Sequence, residues 1–596
     1  MRTSRNGPQA TPGPQPSTSD ASWSGLSRGR LAGYSVLVAV VCAAALLGTS
    51  PALPMVWDEG NAIGRAQGIL SWIEAVRGRA KPDGDGSPWS RDGVARHWRY
   101  TTQVEGHPTL YGMVIAAGVA ISSGCLAPLE SCRLGPIVLF AAAAGCLFYR
   151  MTRTHGQAAG LGAVAALLLL PRVFAHAHFA SFDGPLTAAW VIAWAAFAPA
   201  LRGRLAAAAW GVALGLTLSS KATGWFAPLP FVLWALAYRE RAAVRALAIG
   251  LPTALVVFYL LNPPLWHAPL QGMAAFVHLN THRGFDVPIQ FLGRVYDLRH
   301  PLPWYNTLVW TAITVPVGTL ALALVGVTDA VRRWREDRMG VLLVGHWAVL
   351  VVVRALPVAP PHDGIRLFLP SFAFLAALAG VGVAAVLRRA GAAGAGASQL
   401  PAPNTGGAPA PVALPQRNAA RRPLAAAPRP RVAAAAMVLL YVGSAASLVW
   451  YAPQWLSYYN LLIGGLRGAS AAGMEPTYYW DALDRSTLDW LAQNTAEHEK
   501  VLFSPCSFET LARLRAWGVL PVEFLPDALG RWRWYVLQYR PGMWTAADRW
   551  LVARCRPVWR KVLRPGGWGP WRLDVPLIDI YAFADYRAAL AASPAH

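Results

Sequence analysis

The residues able to do chemistry in this chain stand at the ends of long apolar runs. The first are Asp58 and Glu59, in Met55-Val56-Trp57-Asp58-Glu59-Gly60, where the first apolar run stops. Paired carboxylates facing a cavity at a membrane surface can supply a general base, or help hold a hydroxyl acceptor or a metal. Acidic residues in the first turn of a helix also serve simply as caps. Asp183, in Ala180-Ser181-Phe182-Asp183-Gly184-Pro185, precedes a later run and carries the same two readings. Lys221 lies between two runs with hardly any loop, where it either anchors to headgroups or neutralises a lipid phosphate. His278 and Arg283 follow another run, and arginine matches phosphate geometry better than any other side chain. His107, His278, His282 and His362 fit no standard ligand spacing, so no cofactor is implied, although a divalent metal is left open.

Ionisable groups are expensive at membrane depth, so their gathering at run ends from separate parts of the chain marks a functional face. A transporter scatters such charges through its spans or at broken helices near the midplane. Here they point instead to an active site at the lipid–water boundary.

The elements that must position these residues follow from composition. Of 596 residues, 55% are hydrophobic and only 14% charged, with a mean hydropathy of +0.34. Apolar runs of roughly 18 or more residues are candidate bilayer spans. They fall near 31–54, 134–150, 157–173, 185–201, 205–220, 224–238, 246–262, 306–327, 340–356, 367–387 and 433–451. No clean small-x-small cleavage site follows the first, so it is read as a retained helix. The expected fold is an α-helical polytopic membrane protein of about 11 spans with a small outer α/β domain at its C-terminus. The net charge of +23 does not signal nucleic acid, because many arginines occupy short loops between apolar runs. Heavy use of Ala, Arg, Gly and Pro suggests a GC-rich bacterial genome, and the inner membrane is the expected location.

The apolar stretch 107–124 decides the topology. If it does not cross, Arg150/Arg153, Arg202/Arg204, Arg239/Arg241/Arg245 and Arg332/Arg333/Arg335/Arg338 all lie in the cytoplasm, as the positive-inside rule demands. It is therefore read as interfacial or re-entrant, within a large outer loop, 55–133. Residues 1–30 then form a disordered cytoplasmic tail, 31–387 the membrane domain, and 388–432 a low-complexity cytoplasmic linker rich in Ala, Pro and Gly. The span 433–451 leads to an outer α/β domain, 452–596, with a helix at Ser486–Thr495 and strands at Lys500–Phe503, Tyr535–Tyr539 and Leu577–Phe583. The N-terminus is inside and the C-terminus periplasmic or extracellular. Cys125 and Cys132, and Cys506 and Cys555, fall in pairs on the oxidising side and are expected to form disulfides.

Taken in order, these residues resemble the GT-C glycosyltransferases, the superfamily of protein O-mannosyltransferases and lipid A aminoarabinose transferases. The family has an Asp-Glu pair after its first span, here Asp58-Glu59, and a His-Pro-Pro-Leu-Tyr-like motif in the first outer loop. That motif reads His107-Pro108-Thr109-Leu110-Tyr111, with Thr109 in place of the second proline. Asp183-Gly184-Pro185-Leu186, Lys221-Ala222-Thr223-Gly224 and Arg366-Leu367-Phe368-Leu369-Pro370 match later motifs, so the likeness covers roughly residues 31–390.

The resemblance implies an inverting enzyme using a polyprenyl-phosphate-linked sugar, with a lipid, glycan or protein acceptor, working in the bilayer without nucleic acid. By the same resemblance Asp58 is the base, while Glu59 and Asp183 orient it or the acceptor. Lys221 and Arg283 would meet the phosphate, with His107, His278 and Arg366 as further substrate-binding residues. The alternative is a lipid-linked sugar transporter or flippase, which needs the cations but not the carboxylates. A non-catalytic membrane scaffold leaves the alignment of Asp58, Asp183 and Lys221 as coincidence.

Cysteines engineered near Gly156 and Gly203 are expected to resist labelling from outside intact cells. Strong labelling at either site would mean that 107–124 crosses, and that the charged residues do not share one face.

Overall fold

The structure is a computed structural model, and it describes residues 27–79, 86–282, 284–397, 430–479, 481–526, 530–564, 566 and 568–593. In hydrocarbon a chain must satisfy its own backbone N–H and C=O groups, so the apolar runs fold as helices. Every run named above is helical. Among the described residues, six helices are long and apolar enough to cross a membrane: Arg28–Ala52, Pro128–His155, Arg241–Leu261, Arg338–Ala355, Arg366–Ala392 and Arg431–Tyr451. Leu110–Ser122, inside the stretch expected not to cross, has 13 residues. At 1.5 Å per residue it reaches about 20 Å, but the expected spans Gln157–Leu168 and Arg204–Leu218, with 12 and 15 residues, are comparably short, so length does not set it apart from them.

Residues 366–385 are buried throughout, whereas the first and last of these helices expose most of their apolar surface. The central helix, Leu369–Ala397, packs against Val317–Arg332, Gln157–Leu168 and Arg338–Ala355. Small residues allow this. A Cβ on Gly326 would run into the Leu378 carbonyl, and one on Gly382 into the Leu322 carbonyl. The two backbones therefore meet at a pair of glycines, as in helix pairs that associate without a hydrophobic driving force.

Two boundaries differ from expectation. The run 306–327 is not one helix but two, Asn306–Thr314 and Val317–Arg332. Pro316 has no N–H to donate and forces Val315 into an extended conformation. The central helix runs past residue 387 to Ala397, because Arg388 and Arg389 reach Asp329 at 2.6 and 3.2 Å. Residues 398–429 of the expected linker, and 1–26 of the expected tail, lie outside the described residues.

A two-stranded hairpin joins β1 (Ile289–Phe291) to β2 (Arg294–Tyr296). After residue 452 the chain builds a five-stranded sheet from β3 (Lys500–Ser504), β4 (Glu523–Leu525), β5 (Trp534–Gln538), β6 (Trp559–Val562) and β7 (Pro576–Ala582). The order is β4-β3-β5-β7-β6, with β3 parallel to both neighbours and β7 antiparallel to both of its own. Strand side chains alternate between faces. Val501, Phe503 and Val536 join the main core, while Leu502, Tyr535 and Leu537 pack under the helices Ala546–Arg554 and Phe583–Ala592.

That alternation overturns the expected disulfides. All six cysteines are free. Cys506 packs on the main core and Cys555 on the second cluster, so the sheet stands between them. Cys132 is buried in the helix Pro128–His155, whereas Cys125 is exposed before it.

Gly326→Ala and Gly382→Ala are each expected to destabilise the protein by about 1–3 kcal/mol, because backbone cannot yield to the added methyl. Gly33→Ala, where nothing lies within 4 Å, should cost nothing. The measurement is the apparent melting temperature in detergent. Unchanged melting of Gly326→Ala would mean that the two backbones are not in contact.

Candidate active site

Three elements far apart in sequence deliver three carboxylates to one place. Asp58 lies in the first turn of the helix Trp57–Val76, Asp183 in the first turn of Asp183–Ala200, and Asp363 just before the short turn Arg366–Phe368. The centre is Arg366. Its Nη2 lies 2.6 Å from Asp58 Oδ2, its Nε 2.9 Å from Asp183 Oδ2 and its Nη1 2.6 Å from Asp363 Oδ2. The first two approaches are ion pairs off the N–H direction, not aligned hydrogen bonds. Lys221 Nζ donates to the other oxygen of Asp183 at 2.7 Å. Phe182 underlies both cations, with Lys221 at 4.5 Å and Arg366 at 5.2 Å from its ring centre.

Burial raises the Asp58 carboxyl above its ordinary value, with Arg366 pulling against that rise and Glu105, Asp363 and Asp183 pushing with it. Its side chain keeps 17% of its surface exposed, so an incoming group can reach it. Burial would also raise Asp363, but the Arg366 and Arg540 guanidiniums hold it well below the usual carboxylate range.

Beside this cluster opens a cavity of about 660 Å³. His107, Lys221, Arg354 and Arg366 give it polar groups, and Phe226, Phe276, Val277, Leu350, Val353 and Leu356 line its apolar length. Asp58 and Asp183 are not in its wall and sit behind its cationic end. Burial drives His107 down to about 4, so its ring is neutral at pH 7. Its Nε2 is 3.1 Å from Glu105, which as a carboxylate only accepts. Nε2 therefore carries the proton, and the buried, unpartnered Nδ1 is left as an acceptor. Thr109, which departs from the motif, donates to the Leu261 carbonyl at 2.5 Å, a bond proline could not make.

The other expected site residues are not brought here. Glu59 is fully buried and points the other way, against Arg133, which donates to both its oxygens at 2.7 Å. The backbone N–H groups of Val56 and Ala180 fill its remaining lone pairs, so it has none to offer an acceptor. His278 is exposed on the helix Pro269–Thr281 and stacks on His282 at 4.5 Å. Arg283 lies outside the described residues. The four histidines weighed as metal ligands do not converge, and among the described residues no three His, Cys, Asp or Glu side chains form a ligand set.

Sequence reasoning missed Asp363, Phe182, Tyr479 and Arg540. Asp363 precedes an apolar run and could have been found by the rule that found Asp183. Tyr479, whose ring lies 4.7 Å from Arg366, and Arg540, 2.7 Å from Asp363, come from the C-terminal domain and carry no local signal.

No protein-family model and no curated protein matches the sequence. Among solved structures the chain is similar to ArnT from Cupriavidus metallidurans in the apo state, at TM-score 0.48 and 16% identity over 94% of this chain and 99% of that one. The same protein bound to undecaprenyl phosphate gives 0.44 and 15% over 93% and 98%. The archaeal oligosaccharyltransferase AglB from Archaeoglobus fulgidus, in complex with an inhibitory peptide and a dolichol-phosphate, gives 0.43 and 10% over 85% and 69%.

Near Arg540, Glu475 accepts from the backbone N–H groups of Gln290 and Gly542, and burial lifts it from 4.5 to about 7. A raised carboxyl favours folding below its unfolded value, and that contribution is lost as pH rises through the folded one. Wild type should thus lose up to about 3 kcal/mol through this group between pH 4.5 and 7.5, a slope absent in Glu475→Gln. Parallel melting curves for the two proteins across that range would refute the raised value.

Proposed function

We propose that this chain moves a sugar from a polyprenyl-phosphate donor to a hydroxyl or amine of a lipid, glycan or protein acceptor, at the outer face of a bacterial inner membrane. One observation carries this: an apolar cavity ends in Lys221 and Arg366, and the carboxylates Asp58 and Asp183 stand directly behind those cations. A prenyl chain would lie along Phe226, Val277, Leu350 and Val353, and its phosphate against Lys221 and Arg366.

In the reaction the acceptor oxygen bonds to the anomeric carbon as the bond from that carbon to the phosphate oxygen breaks. Asp58 takes the acceptor's proton, and polyprenyl phosphate leaves with one more negative charge. Lys221 and Arg366 compensate that charge where it develops. Attack and departure occur on opposite faces of the anomeric carbon when configuration inverts. The placement of Asp58 on one side of Arg366 and the cavity on the other suits that requirement. Neutral His107 offers Nδ1 to a sugar hydroxyl. If the expected eleven spans cross with the N-terminus inside and the C-terminal domain outside, the cluster lies on the side where a flipped donor is presented.

Asp58→Asn keeps the shape of the side chain but cannot take the proton, so transfer should fall by about 10²–10⁴-fold while undecaprenyl phosphate still binds. Lys221→Ala should weaken that binding. Glycans and lipids of a deletion strain carrying each variant would be read by mass spectrometry, and binding measured on purified protein in nanodiscs. Wild-type transfer by Asp58→Asn would remove it as the base and favour a transporter.

A further inference from the structure

The C-terminal domain touches the charged cluster at several points. Arg540, just after β5 and only 2% exposed, donates from Nη2 to Asp363 Oδ1 at 2.7 Å. The other oxygen of Asp363 holds Arg366. Asp363 has φ +60, a left-handed conformation that costs a non-glycine residue energy and persists only where its surroundings impose it. The Arg540 guanidinium also lies 6.0 Å from the ring centre of Trp57, the neighbour of Asp58. The Trp57 N–H donates to the Tyr479 carbonyl at 3.0 Å, and Thr510 Oγ1 donates to the Trp57 carbonyl at 2.9 Å. Trp57 is thus held at both its N–H and its C=O by the C-terminal chain.

The domain also brings charge to the cluster: Asp58, Asp183 and Asp363 face Lys221, Arg366 and Arg540, with Glu475 3.9 Å from Arg540 Nε and Glu105 adding negative charge toward Asp58. Without Arg540, Arg366 is left to share itself among three buried carboxylates with only Lys221 beside it. A buried charge stripped of its partner draws whatever counter-charge is near. Arg366 would then swing toward Asp363 and away from Asp58.

We infer that Arg540 is a positioning residue: through Asp363 it fixes the direction of Arg366, and so sets the placement of Asp58 and the charge around it, making the C-terminal domain part of the active site. This rests on the sugar-transfer function proposed above. Arg540 itself touches neither the cavity wall nor the reacting atoms.

The test uses full-length protein in nanodiscs, with undecaprenyl phosphate as the binding probe. For turnover, the substrate is the polyprenyl-phosphate sugar extracted from the deletion strain. Arg540→Ala should lower kcat by about 10- to 100-fold, the cost of a small misplacement of reacting groups. Affinity for undecaprenyl phosphate should fall by less than kcat, because Lys221 keeps its place and Arg366, though turned, still lines the cavity. The acid limb of the kcat–pH profile should move to higher pH, because a cluster with one cation fewer makes Asp58 harder to ionise. Arg540→Lys restores the charge without the planar fork, so it should return the acid limb toward wild type and recover only part of kcat. If Arg540→Ala does not fold, Arg540→Lys and Asp363→Asn carry the same comparison.

An active wild type whose Arg540→Ala variant keeps its kcat and acid limb overturns the positioning role. So does a fall in kcat that tracks a fall in melting temperature with the limb unmoved. A wild type that binds undecaprenyl phosphate but transfers no sugar overturns sugar transfer itself, and the positioning role with it.

Discussion

The structure turns on the placement of Arg366 among three carboxylates. Taking charges out of water costs several kcal/mol per ion, and only close opposite charges in good geometry offset that. The carboxylates arrive on the helix Trp57–Val76, on the helix Asp183–Ala200 and on the strained residue before the central helix. Each contact to Arg366 thereby fixes one element against another. The central helix must be buried for Arg366, in the turn just before it, to stand in the middle, and the facing glycines Gly326 and Gly382 let its neighbours come close enough.

Neighbouring residues with the same charge have opposite tasks. One helical step turns the side chain by about 100°, enough to send Asp58 toward Arg366 and Glu59 toward Arg133. Arg133 uses all five of its N–H groups, on Glu59 and on the carbonyls of Ser50, Leu53 and Pro54. It locks the exit of the first helix to the start of the helix Pro128–His155. Asp58 is placed by its neighbour's saturation. An acid with every lone pair filled is a rivet, and an acid in off-axis contact with a single cation is free to accept.

Most of the helical architecture was legible, because apolar run length and arginine position follow directly from the cost of burying charge and backbone. Asp58, Asp183, Lys221 and Arg366 were legible for the same reason, as ionisable residues at run ends. Glu59 shared that signal, but its partner is 74 residues away and nothing local names it. His278 lies on an outer helix whose exposed side periodicity did not reveal. The break at Pro316 was readable from the proline alone and was overridden by the apolar run around it. Arg540 and Tyr479 were illegible, since they reach the cluster only after the chain has crossed the bilayer and built a sheet.

The ion-pair network also bears on how the proposed reaction would be timed. Arg366 is shared by Asp58, Asp183 and Asp363, and Lys221 is taken by Asp183. A donor phosphate entering from the cavity, as proposed, would compete for the same two cations, and its charge would draw Arg366 toward the cavity side. Asp58 would then lose part of the positive charge that favours its ionised form and become a stronger base. In the proposed reaction donor binding and base strength would thereby be coupled through one guanidinium, and Asp58 would gain proton affinity only with a leaving group in place. The off-axis contacts of Arg366 with Asp58 and Asp183 suit this exchange, because aligned hydrogen bonds would have to be broken before the phosphate could be held.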